Sequence, residues 1–323
     1  PPPPTPRLLR RQRQMCIRDR ATGTLLAGGA TGTVINASAD GNTAGNIGGD
    51  LILSLVSDGT GTSGLDDYLL DPQTISISGT GFRLAEFAEL VDIDFGTIAV
   101  GSGPVTRTVE ITNTAIADLF SEDLSAAIGS LTDTGAGDLT AAGSIAQLIA
   151  GATDSTSITV TIDPNAQGTI AGTITIDFGS TGTVQGESND LGSISIGSDS
   201  ADLLGSITGI AFNLAQASDM TPNPVTGVVR VNNAFSQDMT ISNIAPAGAL
   251  TEGLDASFDT PTDAAITASG SIDSLAGGAT DSTSMDIAVD TSTAGNISGS
   301  VALNLASDGS INDDGVTALT GQT

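Results

Sequence analysis

Apolar and polar residues alternate in short runs along most of the chain. Ile174, Ile176 and Phe178 are separated by Thr175 and Asp177, and Ile158, Val160 and Ile162 by Thr159 and Thr161. Val109 and Ile111 stand between Thr108, Glu110 and Thr112. A period of two puts successive side chains on opposite faces of a strand, one face toward a core and the other toward water. Clusters of Gly, Asn and Asp separate the runs, as turns require. Roughly seven such runs in each ~130 residues predict an all-β chain of immunoglobulin-like antiparallel β-sandwiches. Ala115–Ile128 and Ser144–Ala150 lack the clean alternation and could form short helical turns.

The runs recur. Gly151-Ala152-Thr153-Asp154-Ser155-Thr156-Ser157 reappears unchanged at Gly278–Ser284, 127 positions later. Thr43-Ala44-Gly45-Asn46-Ile47 reappears as Thr293–Ile297. Ile77, Gly79, Phe82, Leu84 and Ala85 match Ile207, Gly209, Phe212, Leu214 and Ala215, 130 positions on; Ile111, Asn113, Glu122 and Leu124 match Ile241, Asn243, Glu252 and Leu254 at the same offset. The unit is therefore about 130 residues, long enough to hold a core of its own, unlike a solenoid repeat. Residues 86–215 read as one complete sandwich, 21–85 as the C-terminal half of a preceding copy, and 216–323 as a copy that stops early. The trio Val301, Leu303 and Leu305 is expected to occupy the same buried strand positions as Ile174, Ile176 and Phe178. Gln322-Thr323 matches Gln73-Thr74, so the equivalent of Ile75–Ala85, a closing strand, is expected to be missing from the third copy. An open strand edge invites edge-to-edge association.

Composition changes the picture in three ways. Residues 1–20 are Pro-rich and then Arg-rich, hold the only cysteine (Cys16), and carry six of the nine basic residues. The stretch Arg11–Arg20 resembles the translated read-through of a sequencing adapter, so residues 1–20 are expected to be a disordered, non-native segment apart from the fold. Residues 21–323 hold 36 acids against three bases, a formal charge of −33. Such a surface repels nucleic acid and anionic lipid and attracts cations. No run of apolar residues is long enough to span a membrane as a helix.

Asp94-Phe95-Gly96-Thr97-Ile98-Ala99-Val100-Gly101, followed by Val109, Ile111, Asn113 and Thr114, resembles the opening of the choice-of-anchor D family. The segments Gly151–Ser157, Ser57–Leu65 and Ile77–Gly79 extend the resemblance over nearly all of 21–323. It breaks around Val228–Asn233, where the Phe-Gly-Thr opening is absent. The resemblance implies immunoglobulin-like repeats of large bacterial secreted or surface proteins, with PEP-CTERM-type sorted members among them.

The sequence contains no His and no Lys. Ser-His-Asp, Cys-His and His-metal chemistry are thereby excluded, as are Schiff-base and phosphate-loop lysines. Carboxylates alone could act, as in a glycosidase pair. The Asp residues, however, fall mostly in turn-like segments, where Asp is expected for backbone reasons. No catalytic residue and no cofactor site is assigned, and the chain is not expected to be an enzyme. Calcium is the one candidate ligand. Asp308, Asn312, Asp313 and Asp314 cluster oxygen donors before Gly315, without the closing Glu of an EF-hand. Asp58, Asp66, Asp67 and Asp71 form a looser group at the equivalent place, and Asp40, Asp163 and Asp290 end one strand in each copy. The leading expectation is a non-catalytic structural or adhesive repeat region of an extracellular or cell-surface protein. The alternative is a module binding glycan or another surface protein through its loops, Ala211–Asn223 being the first place to look. A carboxylate hydrolase is the remote third.

Overall fold

The computed structural model describes residues 42–57, 64–197, 204–312 and 315–320. Every regular element among them is a strand. The segment expected to lie apart, 1–20, is outside the described residues.

The first unit holds β1 (Gly45–Leu53), β2 (Val56–Ser57), β3 (Tyr68–Leu69) and β4 (Gln73–Gly81). β1 pairs antiparallel with β4, and β2 with β3. Leu51, Leu53 and Leu55 alternate with exposed neighbours, but remain only half-buried. The period is that of a sandwich strand, and the described residues supply no second layer to cover it.

The middle unit is a complete sandwich. Its strands are β5 (Ile93–Ala99), β6 (Val105–Thr112), β7 (Leu124–Asp133), β8 (Asp138–Leu148), β9 (Thr153–Asp163), β10 (Gly168–Ser180), β11 (Thr183–Val184), β12 (Glu187–Ser188), β13 (Ile194–Gly197) and β14 (Leu204–Phe212). The main strand order is β5-β14-β10-β7-β8-β9-β6, with β13 beside the end of β10. β8 serves both layers. Residues 138–143 pair with β9, and 144–148 pair with β7. The crossing falls at Gly143, whose φ is +104° and whose absent Cβ would lie 1.8 Å from the Ser157 carbonyl oxygen. No other residue fits there. Ile158, Val160 and Ile162 of β9 face Ile174, Ile176 and Phe178 of β10 across one core, all essentially solvent-free.

Two details depart from expectation. The stretches 115–128 and 144–150 contain no helix. Leu124 onward is β7, and Ser144–Leu148 is the far half of β8; their alternation is blurred by a register shift at the start of β7 and by the turn of β8 between layers. The sandwich is also not wholly antiparallel, since β14 runs parallel to β5.

The third unit comprises β15 (Phe235–Ser242), β16 (Leu254–Phe258), β17 (Ile266–Leu275), β18 (Thr280–Val289), β19 (Leu303–Ser307) and β20 (Thr317–Ala318). The order β15-β18-β17-β16-β19-β20 reproduces β6-β9-β8-β7-β10-β13. β17 changes layers at Gly270 (φ +89°), where a Cβ would meet the Ser284 carbonyl oxygen at 1.9 Å. Leu303 and Leu305 are buried as the alternation requires. Val301 is a correction: it is half-buried and lies outside any strand. Its counterpart Ile174 is held between β7 and β14. In the third unit β16 is short, and no described strand takes the place of β14.

Candidate functional site

The positions of β5 and β14 are where the third unit differs from the middle one. Residues 222–229, aligned with β5, form no strand. Pro222 and Pro224 remove two backbone donors there, which disfavours ladder pairing. Residues 295–302, aligned with the first half of β10, also form no strand. Between these two segments opens a cavity of about 810 Å³, walled by Met220, Val225, Phe235, Ile266, Ile297 and Val301 among others. In the middle unit the same space is filled. There Ile207 and Ala211 of β14 pack beside Phe95 of β5 and Ile170 of β10, all buried in one core. The cavity is thus a slot left by one strand. Its chemistry is apolar side chains flanked by backbone N–H and C=O groups, which suits an extended peptide. The loop Ala211–Asn223, singled out from the sequence, borders this slot through Met220 and Pro222.

A second constellation lies where one unit joins the next. Arg83 N–H donates to the Phe120 carbonyl, and Glu122 N–H to the Arg83 carbonyl. Asn213, Leu250 and Glu252 repeat the pattern at the next joint. Behind this backbone splice lies a buried polar relay. Ala85 N–H donates to Ser180 Oγ (2.8 Å), and Ser180 Oγ donates to Glu122 Oε2 (2.5 Å). Asn113 Nδ2 donates to the Glu122 and Leu148 carbonyls. The third unit matches it: Ala215 N–H to Ser307 Oγ (2.9 Å), Ser307 Oγ to Glu252 Oε2 (2.6 Å), and Asn243 Nδ2 to the Glu252 and Leu275 carbonyls. Sequence alignment of the copies had paired Glu122 with Glu252 and Asn113 with Asn243. An identical Glu between apolar neighbours in both copies was the available signal that these side chains are internal.

The two relays differ at one atom. Glu122 Oε1 accepts from Asn189 Nδ2 (2.6 Å), a residue of the long turn after β10. The corresponding turn after β19 is shorter, and Glu252 Oε1 is the one buried side-chain polar atom among the described residues without a partner. The outer faces of the joints also differ. Arg83 Nη1 pairs with Asp118 Oδ2 (2.6 Å). At the second joint Gln167 Oε1 accepts from Asn213 Nδ2 (2.7 Å) and Thr251 Oγ1 (3.0 Å).

Of the calcium candidates, Asp308 and Asn312 are described, and Asp313 and Asp314 lie outside the described residues. Asp308 Oδ2 accepts from Ser274 Oγ (2.6 Å) and Oδ1 from Ser310 N–H (3.1 Å). Burial pushes its pKa up, but the hydrogen bonds from Ser274 and Ser310 outweigh this and hold it below the usual carboxylate value. Among the described residues no group of three or more acidic, His or Cys side chains is close enough to hold a metal ion. Asp66, Asp67 and Asp71 are exposed, and Asp58 and Asp40 lie outside the described residues. Asp163 ends β9 exposed, and Asp290 caps its own turn by accepting from Ser292 N–H (2.9 Å).

The repeated Gly-Ala-Thr-Asp-Ser-Thr-Ser segment also has a backbone task. Asp154 accepts from the N–H groups of Thr156 and Ser157 and from Ser157 Oγ, and Asp281 does the same with Thr283 and Ser284. These bonds hold both carboxyls below the usual value. Each Asp sits just past the register shift at which β6 and β9, or β15 and β18, slip by a residue.

No family model and no curated protein matches the sequence. Among solved structures, the chain is similar to the Yersinia pseudotuberculosis adhesin InvE at 12% identity and a TM-score of 0.19, covering 74% of this chain and 59% of that one. It is similar to domains 4-9 of the surface layer protein SbsC at 14% identity and a TM-score of 0.19, covering 85% of this chain and 34% of that one. The chain therefore spans well under two thirds of either. No helix among the described residues is long and apolar enough to cross a membrane.

Proposed function

We propose that the chain is a non-catalytic structural and adhesive repeat region of a large bacterial extracellular or cell-surface protein. The observation that carries this reading is the joint between units. The closing strand of one unit runs directly into the next and is fixed there by a buried relay, Ala85–Ser180–Glu122 at one joint and Ala215–Ser307–Glu252 at the other. A buried, hydrogen-bonded joint limits motion between neighbours, whereas a Gly/Ser linker would leave them free. Repetition of one joint suits a stalk or layer that must keep its spacing. The acidic surface and the lack of His and Lys agree with that role, as does the resemblance to choice-of-anchor D repeats. Other surface proteins or glycans are the partners it would meet, with nucleic acid disfavoured by charge.

The test is location. Antibody raised against residues 86–215 should label intact producing cells or the culture medium. External protease should remove the label without lysing the cells. Label found only after lysis would overturn the proposal.

A further inference from the structure

The slot in the third unit has a defined strand register, and that register identifies its occupant. Gly45, Gly168 and Gly295 share an unusual positive φ, +135°, +151° and +151°. They open β1, β10 and the segment 295–302. From Gly45, β1 pairs Ile47 with Gly79, Gly49 with Ile77 and Leu51 with Ile75. From Gly168, β10 pairs Ile170 with Gly209, Gly172 with Ile207 and Ile174 with Gly205. Counted from the glycine, the two registers are the same. The third unit presents Ile297, Gly299 and Val301 at these positions, with no described strand opposite them.

We infer that this slot is an acceptor for strand β4 of a second copy of the chain, and that two copies join by strand exchange. The pairing would set Gly79 opposite Ile297, Ile77 opposite Gly299 and Ile75 opposite Val301. Three observations select β4 as the donor. Its sequence from Ile77 to Ala85 matches that of β14, Ile207 to Ala215, the strand that fills the slot in the middle unit. Its present partner β1 begins with the same five residues, Thr43–Ile47, that stand at Thr293–Ile297, so each backbone bond lost to β1 has an equivalent in the slot. And β4 is under-used where it lies: among described strands it pairs with β1 only, with Ile75 exposed and Ile77 and Phe82 half-buried. Ile207 and Phe212, their counterparts in β14, are 1% and 2% exposed. Exchange therefore keeps the ladder and adds apolar burial, which is the favourable difference. Within one chain the whole middle unit separates β4 from the slot, so the donor is another copy. The inference does not depend on where the protein resides.

A synthetic peptide of residues 73–85 tests the slot, and the full chain tests the occupant. The peptide should bind the full chain saturably and slow hydrogen exchange at 295–303. The Ile77→Asp peptide should bind about tenfold more weakly or worse, because it would bury a carboxylate between apolar walls. The full chain should sediment as concentration-dependent oligomers. In a Cys16→Ser background, a mixture of Ile75→Cys and Val301→Cys chains should form a disulfide-linked heterodimer that neither forms alone. This cross-link keeps the test independent of how Ile77→Asp folds in the full chain. Absence of peptide binding overturns the slot. Peptide binding by a chain that stays monomeric and uncross-linked overturns the second copy as its occupant.

Discussion

Replacing Glu122 and Glu252 by Gln should have opposite consequences, although the two side chains occupy matching places. Glu122 accepts two hydrogen bonds, from Ser180 and from Asn189. Gln offers one acceptor oxygen. If it keeps Ser180, its NH2 group faces the NH2 group of Asn189. Asn189 cannot simply turn its carbonyl inward, because that oxygen accepts from Leu191 N–H (3.0 Å). One bond is lost and two donors are left opposed in a buried site, at a cost of about 1–3 kcal/mol. Glu252 accepts only from Ser307, through Oε2, and its other oxygen has no described partner. Gln at 252 keeps the one bond and replaces an orphaned carboxyl oxygen with an amide. Exchanging one unsatisfied group for another leaves stability within about 0.5 kcal/mol, or raises it slightly where a buried charge is removed. The units need not unfold together, so a single melting curve is not the right assay. Native-state hydrogen exchange reads each unit separately. Amides of Ile174–Phe178 should lose protection in Glu122→Gln, and those of Leu303–Ser307 should hold or gain in Glu252→Gln. Equal losses in both variants would refute the reasoning.

Gly143→Ala and Gly270→Ala should each destabilise their own unit by about 3 kcal/mol or more, since both need positive φ and admit no Cβ; exchange in the other unit should not change. Leu303→Asp places a carboxylate at a 4% exposed position and should unfold the third unit, at a cost of about 3 kcal/mol or more, with the middle unit still protected. Asp154 and Asp281 titrate below their unfolded value, so their contribution is complete above the ordinary carboxylate pKa and is lost as pH falls through it toward the native value. Asp154→Ala should therefore cost about 1 kcal/mol at neutral pH and flatten the acid limb of the middle unit's stability; an unchanged acid limb would contradict the role given to that carboxyl.

The period of two was a sound guide wherever a strand has neighbours on both sides. Ile174, Ile176 and Phe178 are buried as their alternation requires, and so are Leu303 and Leu305. It failed at Val301, because alternation describes the side of a strand and carries no information about whether a partner lies beside it. It was also silent on strand direction, so the parallel run of β14 along β5 could not be read from it. The Ala-rich start of β7 and the half of β8 past Gly143 misled for a local reason: a shift in register or a change of layer interrupts alternation, and the interruption looks like helix. The relay was visible only in outline. Glu122 and Glu252 line up in sequence, yet burial of an acid depends on Ser180 and Ser307, more than fifty residues away. The slot was anticipated as a missing closing strand, but its apolar walls depend on how 222–229 and 291–301 pack, and no pattern in those segments states it.

The joint has a consequence for how such a chain can change in length. Arg83 and Ala85 belong by sequence to the end of one copy, yet they bond to Phe120 and Ser180 of the next. Asn213 and Ala215 do the same one step later. The physical seam is thus displaced a few residues upstream of the sequence seam, and by the same amount at both joints. Unequal recombination between two copies, at whatever point it occurs, rejoins an upstream half-joint to a downstream half-joint of the same type. Whole units can be gained or lost without exposing a core or inventing a new contact, so the number of units can vary while every junction stays built.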